Sequence, residues 1–170
     1  HAYANQEAYD SYGKALGMAR TLSGDSEVGE TRDILQEAAL GRAQVGLLLG
    51  EYNEALQALQ VVEELAIDKT TSMALRAVVV RGDLLVERNQ YEEAVTAFTE
   101  AEARAEKSEE DGLRVYAVGR IAMALMSQRK FDDARKMAQN VQQVWAQKKP
   151  EDVDLLRGLG NATGVLGQVS

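Results

Sequence analysis

The chain of 170 residues has no cysteine, one histidine, one proline and one tryptophan. Without cysteine there is neither a disulfide framework nor thiol chemistry. The lone histidine is His1, at the very start of the chain. Zinc sites of the usual His/Cys make-up and Ser-His or Cys-His nucleophile systems are therefore excluded. A single proline leaves long helices unbroken. Aromatic residues are only 5%, while alanine is abundant. That balance suits closely packed helices better than a β-sandwich. No apolar run approaches the roughly 20 residues of a membrane span. No signal peptide is visible, so the expected location is cytoplasmic. Basic residues are in deficit, 19 against 27 acidic, for a net charge of −8. A nucleic-acid binder normally carries a basic face, so no such partner is expected.

What is present is one phrase written three times. Glu51-Tyr-Asn-Glu-Ala-Leu56, Gln90-Tyr-Glu-Glu-Ala-Val95 and Lys130-Phe-Asp-Asp-Ala-Arg135 place the rings Tyr52, Tyr91 and Phe131 39 and 40 residues apart. A period in that range predicts a stack of helix pairs, each burying its apolar face on its neighbours. Apolar residues recur at helical spacing throughout. Helices are predicted at about 3–21, 29–48, 52–67, 71–87, 91–107, 110–127, 131–147 and 151–166. Asn89 and Glu92 resemble a capping box. Ser108, followed by Glu109, Glu110 and Asp111, reads as a helix start, and Pro150 as the opening of the last helix. The longest loop is expected from Thr21 to Gly29. Short turns near 49–51, 88–90 and 128–130 predict antiparallel hairpins of an A and a B helix.

The register follows from the rings. Ala55, Leu59 and Val62 follow Tyr52 at the offsets by which Ala94, Phe98 and Ala101 follow Tyr91, and Ala134, Ala138 and Val141 follow Phe131. Each trio falls on one helix face. Nine residues before each ring stand Ala43, Gly82 and Ala122, small residues that let helix A approach helix B. Ala8, Tyr12 and Ala15 continue the B pattern at the N-terminus, and Leu159-Gly160 the A pattern at the C-terminus. Tyr91 and Phe98 are expected to be buried.

With these residues the chain resembles the tetratricopeptide repeat (TPR) family. Gly50-Glu-Tyr52-Asn-Glu-Ala55 matches that family's turn into helix B. Gly82, Tyr91, Ala94, Phe98 and Ala101 match nearly the whole pattern, and Ala122, Leu125, Phe131 and Ala134 most of it. The long unit is similar to those of kinesin light chain and of bacterial peptide-sensing regulators. The usual Trp-x-x-Leu-Gly start is missing, Arg81 stands where a leucine is usual, and the extra residues are placed near 66–71 and 105–111. The resemblance implies an all-α, right-handed α-solenoid of antiparallel helix pairs with about eight helices. Residues 1–170 would form one repeat domain with pairs at 29–67, 71–107 and 110–147. The helices at 3–21 and 151–166 would be unpaired, as in a segment of a longer array.

The implied function is non-enzymatic binding of a protein or peptide segment on the concave face lined by A helices, with no metal or cofactor. Counted from Ala43, Gly82, Ala122 and Gly160, candidate contact residues are Gln44, Leu47, Arg76, Val80, Asp83, Tyr116, Arg120, Met123, Arg157 and Asn161. An apolar face carrying three arginines suits an extended peptide or a partner helix, in part acidic. Arg120 and Met123 are expected to stand outside the repeat core. Two alternatives stay open: a sensory or regulatory module of a larger protein such as a transcription regulator, and a structural scaffold. The scaffold would form a homodimer through its terminal helix, around Leu156, Leu159 and Val165. Gly160 and Gly164 would pack closely against a further helix. Trp145 reads as a repeat-interface residue, with a ligand contact as the rival. The acidic pairs Glu63-Glu64, Glu92-Glu93 and Asp132-Asp133 read as dipole partners and solvated faces rather than ligands.

Overall fold

The computed structural model describes residues 2–21, 28–69, 71–145 and 153–168. These form eight helices and no strand. They are α1 (Ala2–Thr21), α2 (Val28–Leu49), α3 (Tyr52–Leu65), α4 (Ser72–Glu87), α5 (Tyr91–Lys107), α6 (Asp111–Ser127), α7 (Phe131–Trp145) and α8 (Val153–Gln168). The expected loop between 21 and 29, Pro150, and the side chains of Trp145, Leu156 and Leu159 lie outside the described residues.

Four of the turns between helices are closed by backbone hydrogen bonds, whereas α4 starts on a side-chain cap, the Thr71 hydroxyl accepting the Ala74 N-H at 3.3 Å. The N-H of Glu51 donates to the carbonyl of Gly46, Gln90 to Leu85, Glu110 to Ala105 and Lys130 to Leu125, at 2.8–3.0 Å. The residue before each donor is left-handed: Gly50 at φ 82°, Asn89 and Glu109 at 58°, Arg129 at 61°. This is the Schellman termination, which glycine or asparagine favours. It overturns both expected caps. Asn89 is no cap, and its Oδ1 accepts the Tyr91 hydroxyl at 2.7 Å. The α5 cap is Gln90, without a side-chain bond. Ser108 ends α5 instead of starting α6, and its hydroxyl donates back to the Arg104 carbonyl at 3.1 Å.

The expected alternation of short and long connections holds in part. Residues 66–71 form the longer link after α3, with Ile67 80% exposed. The α5–α6 turn is only 108–110, so the extra residues of that repeat lengthen α5 instead.

The chain divides into two compact units, His1–Leu84 and Leu85–Ser170. In the first, Ala39, Leu40 and Ala43 of α2, Ala55, Ala58, Leu59 and Val62 of α3, and Ala77, Val80 and Leu84 of α4 make one core. Small residues bring the α2–α3 hairpin close: a Cβ on Gly46 would stand 3.1 Å from that of Ala55. Gln36 is buried and satisfied by the Val62 carbonyl at 3.2 Å.

In the second unit, Val115, Val118 and Ala122 of α6, Ala134, Ala138 and Val141 of α7, and Ala162 and Val165 of α8 form the core. Phe98 on α5 is fully buried, as expected. Tyr91 is only half-buried and Phe131 is 49% exposed, because the repeat rings sit at the first turn of their helices, beside the turns. The C-terminal register is shifted by two. Gly160 is exposed, and the buried small residues of α8 are Gly158 and Ala162.

Candidate functional site

In the first unit, α1, α2 and α4 enclose a cleft of about 440 Å³. Gln44 on α2 and Arg76 on α4 both line it, as does Glu37, and all three side chains are exposed. Leu40 and Met73 supply apolar wall. Tyr12 of α1 closes one side because position 41 is glycine: a Cβ there would fall 2.5 Å from the ring. Tyr12, Ser72 and Met73 were not among the expected contact residues. The fit of a tyrosine on one helix to a glycine on the next is a pairing that periodicity does not reveal.

Of the other candidates in this unit, Leu47 packs half-buried against the core. Val80 was expected on the binding face, but it is 7% exposed and belongs to the core itself. Its helix has apolar neighbours on more than one side, so inward and buried are not the same face. Asp83 is half-buried and does not line the cleft.

In the second unit, α6 and α8 meet at a pair of glycines. A Cβ on Gly119 would lie 2.7 Å from the Gly158 carbonyl oxygen, and one on Gly158 would lie 2.5 Å from that of Val115. Asn161 packs at the same crossing, its Cβ 3.1 Å from the place a Gly119 Cβ would take. Tyr116, Arg120 and Met123 are half-buried on α6, and Arg157 is exposed on α8. The guanidinium of Arg120 lies 5.7 Å from the Phe98 ring centroid, and its Nη1 is 3.8 Å from the Met123 sulfur. Met123 itself packs on the core. Arg120 and Met123 therefore take part in packing and do not stand clear of it, contrary to the expectation. Val165, placed on the open end face by the spacing, is 1% exposed in the core. Gly160, Gly164 and Gly167 have nothing within 4 Å among the described residues, so any close packing at Gly160 and Gly164 would be against a helix outside them.

One carboxyl is perturbed. Burial raises the Glu102 carboxyl above its ordinary range. Arg114 opposes the shift, and Glu106 adds to it. Arg114 is itself paired with Glu106 at 2.9 Å. Among the described residues, no group of three or more His, Cys, Asp or Glu could hold a metal ion. No described helix is long and apolar enough to cross a membrane.

Residues 120–163 match the tetratricopeptide repeat family model. Two solved structures have the same fold. One is a TPR-like protein from Chlorobium tepidum, 20% identical, with a TM-score of 0.63 over 81% of this chain and 96% of that one. The other is described as a kinesin light chain from Podosopora anserina with nearly identical TPR-like repeats. It is 16% identical, with a TM-score of 0.58 over 99% of this chain and 89% of that one. No curated protein matches the chain. The fold is thus that of TPR-like helical repeats. The segment from Arg120 to Thr163, which runs from mid-α6 into α8, carries the recognisable repeat. Such folds commonly serve as protein-interaction scaffolds.

Proposed function

We propose that the protein is a non-catalytic scaffold that binds a protein or peptide segment on its A-helix surfaces, beginning with the α1–α2–α4 cleft. The observation that carries this reading is that cleft, where Gln44, Glu37 and Arg76 surround the apolar Leu40, Met73 and Tyr12. Its volume lies inside the roughly 300–1,000 Å³ of ordinary ligand sites. Apolar wall with a few polar side chains suits an extended or helical segment, with an acidic residue opposite Arg76. The second unit, by itself, offers a separate and more cationic surface, with Arg157 exposed and Tyr116, Arg120 and Asn161 half-buried.

The test is selection from a peptide library on the immobilised protein. Selected peptides are expected to lose affinity by about tenfold or more (about 1.4 kcal/mol) in Arg76→Glu/Gln44→Lys. Circular dichroism of that variant should not change, since both side chains are exposed. Undiminished affinity in the double variant overturns this placement.

A further inference from the structure

The first unit holds a second cleft, away from the A-helix surface. It has a volume of about 250 Å³ and is walled by α1 and α3, with Arg42 reaching in from α2. It exists because α1 has glycine at 13 and 17. At Gly13 the space of a side chain is taken by the Arg42 guanidinium, 2.0 Å from where a Cβ would be. At Gly17 the space is left open, with nothing within 4 Å.

Arg42 stands one residue before the small Ala43, as Arg81 stands one before Gly82. Arg81 is paired with Glu63 on the preceding helix at 3.1 Å. Arg42 finds an aromatic face there instead: its Cζ lies 4.2 Å from the Tyr9 centroid. The ring holds the guanidinium by a cation–π contact and leaves its in-plane donors for an acceptor. The same cleft carries one anion, the exposed Glu54, together with the Gln57 amide. Leu16 and Val61, both half-buried, supply its apolar lining.

These charges select a ligand class. A bare carboxylate would pair with Arg42 but meet Glu54 and the field of a chain of net charge −8. A bare amine would pair with Glu54 and meet Arg42. A zwitterion satisfies both, and an apolar side chain on it fills the remainder. The volume falls below the roughly 300 Å³ at which ordinary ligand pockets begin, so the ligand is small. We propose that this cleft binds a free amino acid with an apolar side chain, its carboxylate on Arg42, its ammonium on Glu54 and its side chain against Leu16 and Val61.

The experiment is an NMR or calorimetric titration of the whole chain with L-leucine. Parallel titrations use 4-methylpentanoate, which lacks the ammonium, and isoamylamine, which lacks the carboxylate. Leucine is expected to bind saturably in the millimolar range or tighter, and each truncated analogue about tenfold more weakly or not at all. Gly17→Leu puts an isobutyl group into the cleft from a position where the Cβ itself meets nothing within 4 Å, and should abolish binding with helicity intact. Glu54→Gln, at an exposed position, should weaken leucine about tenfold and bring its affinity toward that of the carboxylate. Arg76→Glu should leave leucine binding unchanged, which separates this site from the peptide site. Absence of saturable leucine binding overturns the proposal. So does equal binding of 4-methylpentanoate, or undiminished leucine binding in Gly17→Leu.

Discussion

The two units use glycine to bring helices together in opposite ways. In the first, the glycines of α1 and α2 make room for side chains: Gly41 for the Tyr12 ring and Gly13 for the Arg42 guanidinium. In the second, Gly119 and Gly158 make room for backbone, each facing a carbonyl of the other helix. A side chain can swing away from an added methyl group. A carbonyl held in a helix cannot, short of moving the helix. The α1–α2 contact should therefore be adjustable and the α6–α8 contact rigid, although both depend on glycine.

The largest expected effect ignores glycine and asks whether the second unit has the stronger anchor. Phe98→Ala should cost about 3–5 kcal/mol, since a fully buried ring leaves a cavity. The cost of Phe131→Ala should be far smaller, because that ring is half in solvent. Urea unfolding of both variants measures the difference, and equal losses would show that burial at these positions has been misjudged.

The glycine comparison comes next. Gly158→Ala should destabilise by about 1–3 kcal/mol as the helices are forced apart. Gly41→Ala should cost less, since the ring of a half-buried tyrosine can swing aside about its side-chain bonds while the backbone stays in place. Gly13→Ala should be near neutral or stabilising, because Arg42 is long and flexible and alanine gains about 1 kcal/mol over glycine in a helix. If the three rank in any other order in denaturant melts, the distinction between side-chain and backbone approach fails.

The smallest effect concerns charge. Glu102 has a raised carboxyl in the folded chain, so folding resists its ionisation. The sign follows from linkage. The folded state binds more protons, so the penalty is absent below the ordinary carboxylate range of about 4.3. It grows as pH rises and is complete above the raised value. Glu102→Gln should therefore raise the melting temperature at about pH 7, and the gain should vanish toward about pH 4. A gain that persists in acid would place its origin in packing rather than charge.

Helix positions were legible in the sequence because apolar periodicity and short turns agree. Where both are described, observed ends differ from the expected ones by about two residues, as at Leu65 against an expected 67. The caps were not legible. A serine or asparagine before an acidic run has the composition of an N-cap, even where a left-handed residue at that position, as at Asn89, or just after it, as at Glu109, ends the preceding helix. The repeat register was readable through the core of both units but slipped in α8, where Gly158 and Gly160 are two small residues competing for one role. The site was readable only as a surface. Gln44 and Arg76 do share a cleft, whereas Val80 and Val165 are core. An A helix is apolar both toward its hairpin partner and toward its neighbours, and spacing alone does not separate those faces. The Tyr12–Gly41 and Arg42–Gly13 fits join residues on two consecutive helices, well beyond the reach of a helical period, where no local pattern could announce them.

The left-handed turns have a practical consequence for engineering. Because main-chain hydrogen bonds close each one, the side chains at the tips are relieved of most of the work of holding the hairpin, although Asn89 and Ser108 add side-chain bonds of their own. The Gly50 turn is the plainest instance, exposed and with open space around its Cα. A flexible insert there meets only the slowly growing entropy of a longer loop, about 0.6 kcal/mol for each doubling in length. The hairpin tips are thus natural points for attaching a reporter or grafting a second recognition loop.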